Sequence, residues 1–444
     1  MQEREYFRAF RFGFGIDHGT AFDPANEVQA WKDNAASSNM MQQRFAALWE
    51  AQQRVKQSNR DLVAVEALKT LSGLFQNHDL HDAVTGAVQS PAMFVERLAL
   101  FWSNHFSLGS GNAVVARLTG PHAAVLRSAM FGSFRELLEA AVLSPAMMQY
   151  LNLQQAIGPN STAGKKNQKG LNENLGREIL ELHSLGVDGG YTQQDVAALS
   201  HLLTGWRFAP DSGAVSFIER RAEPGAKLLL GRSIGGSKPT AADLGIAFDV
   251  IAAHPATAHF IARKLVLHFM GPVQSDAVEK LVPLFDKGNG GLRKIYLALI
   301  EMAGRLQPKP TQFRNDAVFL ISALRAMPLR KGVLEFQLRD NGRPKLNPAT
   351  TGAFNNLRQK LWLAPSPAGW PDDPAYWMSA SVMTARLRLI PRLAQLAKEQ
   401  DPVAWAQSVL GPLLRPATRS AVALAPNRLQ GMGLVLASPE FNRR

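Results

Sequence analysis

Apolar residues recur at three- and four-residue spacing over most of this chain, as expected of helices that bury one face. The run 27–75, from EVQAW to SGLF, is rich in Ala, Gln and Leu with few breakers, which predicts helix. In SPAMFVERLALFWSNHFSLG (90–109), Ser-Pro supplies a cap and first turn and Gly109 an end. FGSFRELLEAAVLSPAMMQYLNL follows, broken near Pro145. In YTQQDVAALSHLLTGW, Thr192 and Asp195 have the spacing of a capping box. Helical periodicity resumes in ADLGIAFDVIAAHPATAHFIARKLVLHFM, GLRKIYLALIEMAG and TQFRNDAVFLISALRAM, and again near 380–400 and 402–410.

Three stretches break this pattern. IGPNSTAGKKNQKG (157–170) is polar, Gly-rich and basic, and predicts an exposed, mobile loop. WRFAPDSGAVSFI predicts a β-hairpin around Pro-Asp-Ser-Gly, with KLLLG as a third strand of an insert over 204–232. The Pro-rich segment 363–377, LAPSPAGWPDDPAYW, predicts irregular structure. With helices on both sides of the insert, no internal repeat and no cut point, the expected fold is mainly α. It is a large multi-helix single domain over 1–444, long enough for two lobes, with a small β-hairpin insert.

NENLGREILELHSLG (172–186) is the most polar of the predicted helices. At about 100° per residue, Leu175, Ile179, Leu182 and Gly186 share a buried stripe. Glu178 and Glu181 lie about 60° apart, with Asn174 on their side, while Glu178 and His183 diverge by about 140°. One helix therefore does not make a His/carboxylate metal site, and any partner must come from another segment. A structural role accounts for the same residues: Arg177 and Glu181 have i,i+4 spacing, and Asn172 or Asn174 suits a cap. In 90–109, His105 continues the stripe of Phe94, Leu98 and Phe101. A His on an apolar stripe is either a hydrogen-bonded core residue or a group projecting into a pocket. His268 shares a face with Ile261, Lys264 and Leu265, where a structural role also fits.

Cys is absent, which excludes disulfides, thiolate metal sites and Cys nucleophiles. MQEREYFRAFRFGFGID has no apolar signal core, and no stretch approaches the roughly 18 apolar residues of a membrane span. A cytoplasmic protein is the expectation. The net charge of +13 favours polyanions. The Lys and Arg are dispersed, however, without a zinc finger or an RNA-binding signature, so nucleic acid is not the expected partner.

Several stretches together resemble the bacterial family known as domain of unknown function 1800. They are Arg11, Phe14 and Gly15 at the start, LFWSNHF (100–106), SPAMMQYLN (144–152) and GLNENLGREILELHSLGVDGGYTQQDVAALSHLLTGW (170–206). HPATAHFIARKLVLHF (254–269), APSPAGWPDDPAYW (364–377) and SPEFNRR (438–444) complete the resemblance, which covers nearly the whole chain. It implies a mainly helical protein with no established general activity. Many relatives carry export signals and look to be encoded beside a sulfatase-like family (domain of unknown function 1501), which implies exported or surface polymers. Carried over by position, the polar signature falls on His105, Asn172, Glu173, Asn174, Arg177, Glu178, Glu181, His183 and Asp195. The chain departs from it at Ser103 and Ala222, where relatives show His, at Asn152, where they show Asp, and at His201, where they often show Arg.

Two functions follow as expectations. In the first, Glu178, Glu181, His105 and His183 form an acid/base or divalent-metal-assisted centre, hydrolase or lyase, with no metal ligand set assigned. Arg177, Asn174, Trp102, Trp206 and Trp370 would hold an acidic or hydroxylated polymer. In the second, the signature is a structural polar network inside a non-catalytic module that binds a polymer or a sulfatase-like partner protein.

Overall fold

A computed structural model describes residues 3–15, 22–32, 38–109, 113–167, 171, 173–272, 274–285, 291–306, 312–340 and 343–444. Asn172, one of the signature residues, lies outside them. The fold is mainly α, with a few short strands. Its buried apolar residues form two large cores. One gathers Phe94, Trp102, Leu137, Ile179, Leu199, Ile261 and Leu299 among others. The other gathers Val84, Phe319, Leu389, Trp405 and Leu436. The helix Glu3–Phe12 and the residues after it stitch them together, since Phe12 enters the first core and Phe10 and Phe14 the second.

The 27–75 run divides into Pro24–Ala30, Ser38–Gln57 and Leu62–Gln89, with positive φ at Asn59 and Arg60 marking the last break. Ser90, expected to start the next helix, instead ends the preceding one. The helix Met93–His105 has no side-chain cap of its own, because Ala92 occupies that position. Glu27 supplies the cap from a distance, accepting the N–H groups of Phe94 at 2.7 Å and Val95 at 3.4 Å. Burial outweighs these bonds and pushes the Glu27 carboxyl up to about 7.

The insert differs from expectation in its pairing. Trp206–Phe208 and Val215–Phe217 form an antiparallel hairpin. Lys227–Leu229, expected as a third strand, pairs with Arg232–Ile234 in a second, separate hairpin. Leu230 and Gly231 both have positive φ, as a tight two-residue turn requires, and Asp195 holds that turn by accepting the Leu230 N–H at 2.6 Å.

The segment expected to be an exposed, mobile loop is anchored over its described part. Ile157, Gly158 and Ser161 are buried, and Thr162–Asn167 is helical. Glu223 accepts the backbone and side-chain N–H groups of Asn160, and Ser161 Oγ accepts the Gly164 N–H. Residues 168–170 lie outside the described set. In the Pro-rich segment, Leu363–Ala364 pairs in parallel with Leu108–Gly109, and Pro374–Trp377 forms one helical turn.

No single helix among the described residues is long and apolar enough to cross a membrane. Ala241–Ala252 with Pro255–Met270 reaches that length only as a pair bent by 65°, and Phe248, Ile251, Ile261 and Leu265 of the pair lie in the first core.

Candidate functional site

The polar helix changes geometry in mid-course. Asn174–Glu178 is α-helical and Ile179–Ser184 is a π-turn, in which Leu185 N–H reaches back five residues to the Leu180 carbonyl at 2.8 Å. The Ser184 hydroxyl donates to the Ile179 carbonyl at 2.7 Å and supports the wide turn. The extra residue rotates everything after Glu178, so the angles expected for a regular helix do not hold. The buried face is Leu175, Ile179, Leu180, His183 and Ser184, and Leu182 is only half-buried.

That rotation turns His183 into the interior, against His105. Their rings lie 5.9 Å apart at 72°. His105 Nε2–H donates to the His183 carbonyl and His183 Nδ1–H donates to the His105 carbonyl, both at 3.1 Å. The exchange selects opposite tautomers in the two rings. His105 Nδ1 and His183 Nε2 are left without partners, both deeply buried. Burial, with Lys264 nearby, holds His105 well below the usual imidazole range and lowers His183 to about 3. A third ring, His122, donates from Nε2 to the Phe106 carbonyl at 2.9 Å and meets Ser144 Oγ at 2.7 Å. These are neutral, buried histidines.

The two carboxylates sit outside this layer. Glu178 is half-buried and accepts from Asn174 Nδ2 at 2.9 Å, while its Oε2 is buried without a partner. Desolvation raises its pKa, Asn174 opposes the shift, and the Glu181 charge adds to it. Tyr150 is pushed up to about 12 by burial and by Glu178. Glu181 accepts a long hydrogen bond from the Tyr191 hydroxyl at 3.4 Å. Arg177 donates to Gln193, which in turn donates to Glu173, making an exposed chain of side chains. Asp195 and Thr192 form a reciprocal capping box.

The three tryptophans do not share a surface. Trp102, expected to stack on substrate, is fully buried, and its indole N–H donates to the Tyr296 hydroxyl at 2.7 Å. Trp206 is half-buried against Phe217. Trp370 is held by Asn104, whose side chain accepts the Trp370 N–H at 2.7 Å and donates to the Trp370 carbonyl at 2.9 Å. The neighbouring Gly369 has φ +86°, and a Cβ there would lie 2.4 Å from the Asn104 carbonyl oxygen. FWSNHF and PAGWP are thus two halves of one clamp, with Asn104 a positioning residue that sequence reasoning missed. Asp372 and Arg97 were missed too: Asp372 meets His268 Nδ1 at 2.7 Å, and Arg97 meets His268 Nε2 at 3.3 Å.

Ser103 lines a cavity of about 20 Å³ with Asn104, Ser107, His268 and Trp370, room for one water molecule. A much larger cavity, about 770 Å³, lies elsewhere, beside Phe131, Arg135, Asp249 and Arg293, and none of the predicted site residues line it. Among the described residues, no three His, Asp or Glu side chains are grouped to hold a metal ion. No curated protein and no solved structure matches the chain. The profile of the family described as "Protein of unknown function (DUF1800)" matches residues 9–443, and the chain belongs to that family.

Proposed function

We propose that this protein is a non-catalytic helical module in which the His, Glu and Asn residues of the signature hold the fold, and which binds an acidic polymer at a basic face. The observation that carries the first half is the reciprocal His105–His183 exchange, which consumes one nitrogen of each ring and keeps both from solvent. A proton-transfer or metal-binding histidine needs a nitrogen that substrate or solvent can reach.

The basic face lies where the helix Thr162–Asn167 meets the insert. Thr162–Asn167 carries exposed Lys165 and Lys166 and packs on the turn Glu219–Arg221. Arg207 and Arg220 lie close enough to Arg221 to add to the lowering of its pKa by burial. Of the nearby acids, Glu223 is taken up by Asn160 and Glu219 lies 4.0 Å from Lys238. Electrophoresis through gels containing polygalacturonate tests the reading. The wild type should be retarded, and Lys165→Ser/Lys166→Ser/Arg220→Ser should run free. Removing three exposed charges elsewhere, Arg388→Ser/Arg392→Ser/Lys398→Ser, should leave the retardation. Equal losses in the two triple variants would reduce the binding to net charge and overturn the proposal.

A second reading rests on Glu178, whose partnerless Oε2 and raised pKa beside Tyr150 suit a proton donor. Cleavage of polygalacturonate by the wild type, lost in a folded Glu178→Gln variant, would replace the first reading by this one.

A further inference from the structure

The seam between the two cores is crowded with buried cations. Arg314 is fully buried between the rings of Phe10 and Phe441, at 4.7 Å and 5.0 Å from their centroids. Its Nε, Nη1 and Nη2 all lack a hydrogen-bond partner. Arg444 and Arg11 each leave Nε and Nη1 unpartnered, and Arg97 leaves Nε. These side chains act on one another: Arg444 lowers the pKa of Arg11, Arg97 and Arg314.

Among the described residues the opposing carboxylates are too few. Asp316 belongs to Arg386, which it meets at 2.7 Å with both side chains fully buried. Asp372 is bonded to His268 and also serves Arg97, Lys264 and Arg444. Among the described residues, no acid acts on Arg314. Arg444 is paired with Gln312 through the backbone, the Gln312 N–H donating to the Arg444 carbonyl oxygen at 3.2 Å. Unlike histidine, a guanidinium does not shed its charge at neutral pH, and an unpaired charge in a protein interior is costly. The planar fork of Arg matches the oxygens of phosphate and sulfate, two bonds at a time.

We infer that the seam is an oxyanion-binding site in which Arg314, Arg444 and Arg11 hold a phosphate or sulfate group, free or as a terminal monoester. Arg314 forms its floor. Arg11 and Arg444, which keep 5% and 6% of their surface in solvent, form its rim. Aromatic faces on both sides of Arg314 restrict bonding to its edge, where the free N–H groups are. Asp372 sets the orientation by drawing His268 and Arg97 to its own side. The site is separate from the basic face beside the insert, and its test is independent of the polymer reading.

The test uses the full chain and inorganic phosphate, with chloride at matched ionic strength as reference. Phosphate should raise the melting temperature saturably, sulfate should compete, and isothermal titration should give one site. Phenyl phosphate distinguishes the sources: binding like phosphate means that a monoester end fits, and failure restricts the site to the free ion. Arg314→Met should melt higher than the wild type in chloride and bind phosphate at least tenfold more weakly. Should that variant fail to fold, Arg11→Gln and Arg444→Gln must each weaken phosphate at least tenfold. Lys165→Ser/Lys166→Ser/Arg220→Ser should leave it unchanged. Identical melting of the wild type in phosphate and chloride, or full phosphate binding by the Arg314 or rim variants, would overturn the inference.

Discussion

The histidine layer and the arginine seam both bury polar side chains, yet they resolve the cost in opposite ways. His105, His122 and His183 give up their charge and spend the remaining N–H donors on backbone carbonyls. Arg11, Arg97, Arg314 and Arg444 keep theirs, and Asp372 offsets only Arg97 and Arg444. A neutral ring with one bond is compatible with an interior, so the histidine layer needs no counter-charge. A charged fork with three orphaned nitrogens is not. The contrast separates residues that hold a fold from residues prepared for something else.

The largest effect expected from this comparison lies at Arg386, a buried arginine that is fully paired. Asp316 accepts Arg386 and also the N–H groups of Arg358 and Gln359. Asp316→Ala should lose about 3–5 kcal/mol in denaturant unfolding, because a buried guanidinium is stranded. A loss below about 1 kcal/mol would mean that the interior tolerates unpaired arginine, and the contrast would fail.

Next comes acid sensitivity. His183 is lowered to about 3, His122 and His268 to about 4, and His105 well below its usual value. The unfolded chain therefore binds more protons below about pH 6.5, so stability is full above that value and is lost as pH falls toward the folded pKa values. Each histidine contributes up to about 1.4 kcal/mol per pH unit. Glu27, Glu178 and Asp79, all raised, act in the opposite sense, since each loses stability as pH rises through the carboxyl range. Four histidines outweigh three carboxyls, and melting temperatures should fall from pH 6.5 to pH 5. A flat profile would break the neutral-histidine account.

Smaller still is the exchange itself. His105→Leu should cost about 1–3 kcal/mol by leaving a buried carbonyl unpaired. His105→Gln and His183→Asn place an amide donor near the lost one and should recover most of that cost in urea titrations. A comparable cost, about 1–3 kcal/mol, is expected for Gly369→Ala from its positive φ and its contact with Asn104. The least effect belongs to Glu178→Gln. The variant should melt slightly above the wild type at pH 7, with the difference vanishing in acid, because only the charged form is penalised.

What could be read from sequence was local. The Thr192–Asp195 capping box and the hairpin around Pro210 follow from adjacent residues, and both form. The site failed at two points. The angles around Glu178 assumed a regular helix, and nothing in LGREILELHS announces a π-turn. Trp102 looked available to stack on a substrate ring, but its indole is buried and its N–H is taken by Tyr296, 194 positions away. Arg97, His268 and Asp372 are likewise joined only by the fold. Periodicity locates a buried face, but not which distant residue will meet a polar group placed on it.

The two-residue ladder between Leu108–Gly109 and Leu363–Ala364 has a bearing on biogenesis. During synthesis at about 5–20 residues per second, the later strand leaves the ribosome roughly 10–50 s after the earlier one. Phe313 waits similarly for Arg443, its β-bridge partner. The nascent protein must therefore hold its first core together with an open edge, and a chaperone that shields such edges is the helper whose depletion should most reduce its yield.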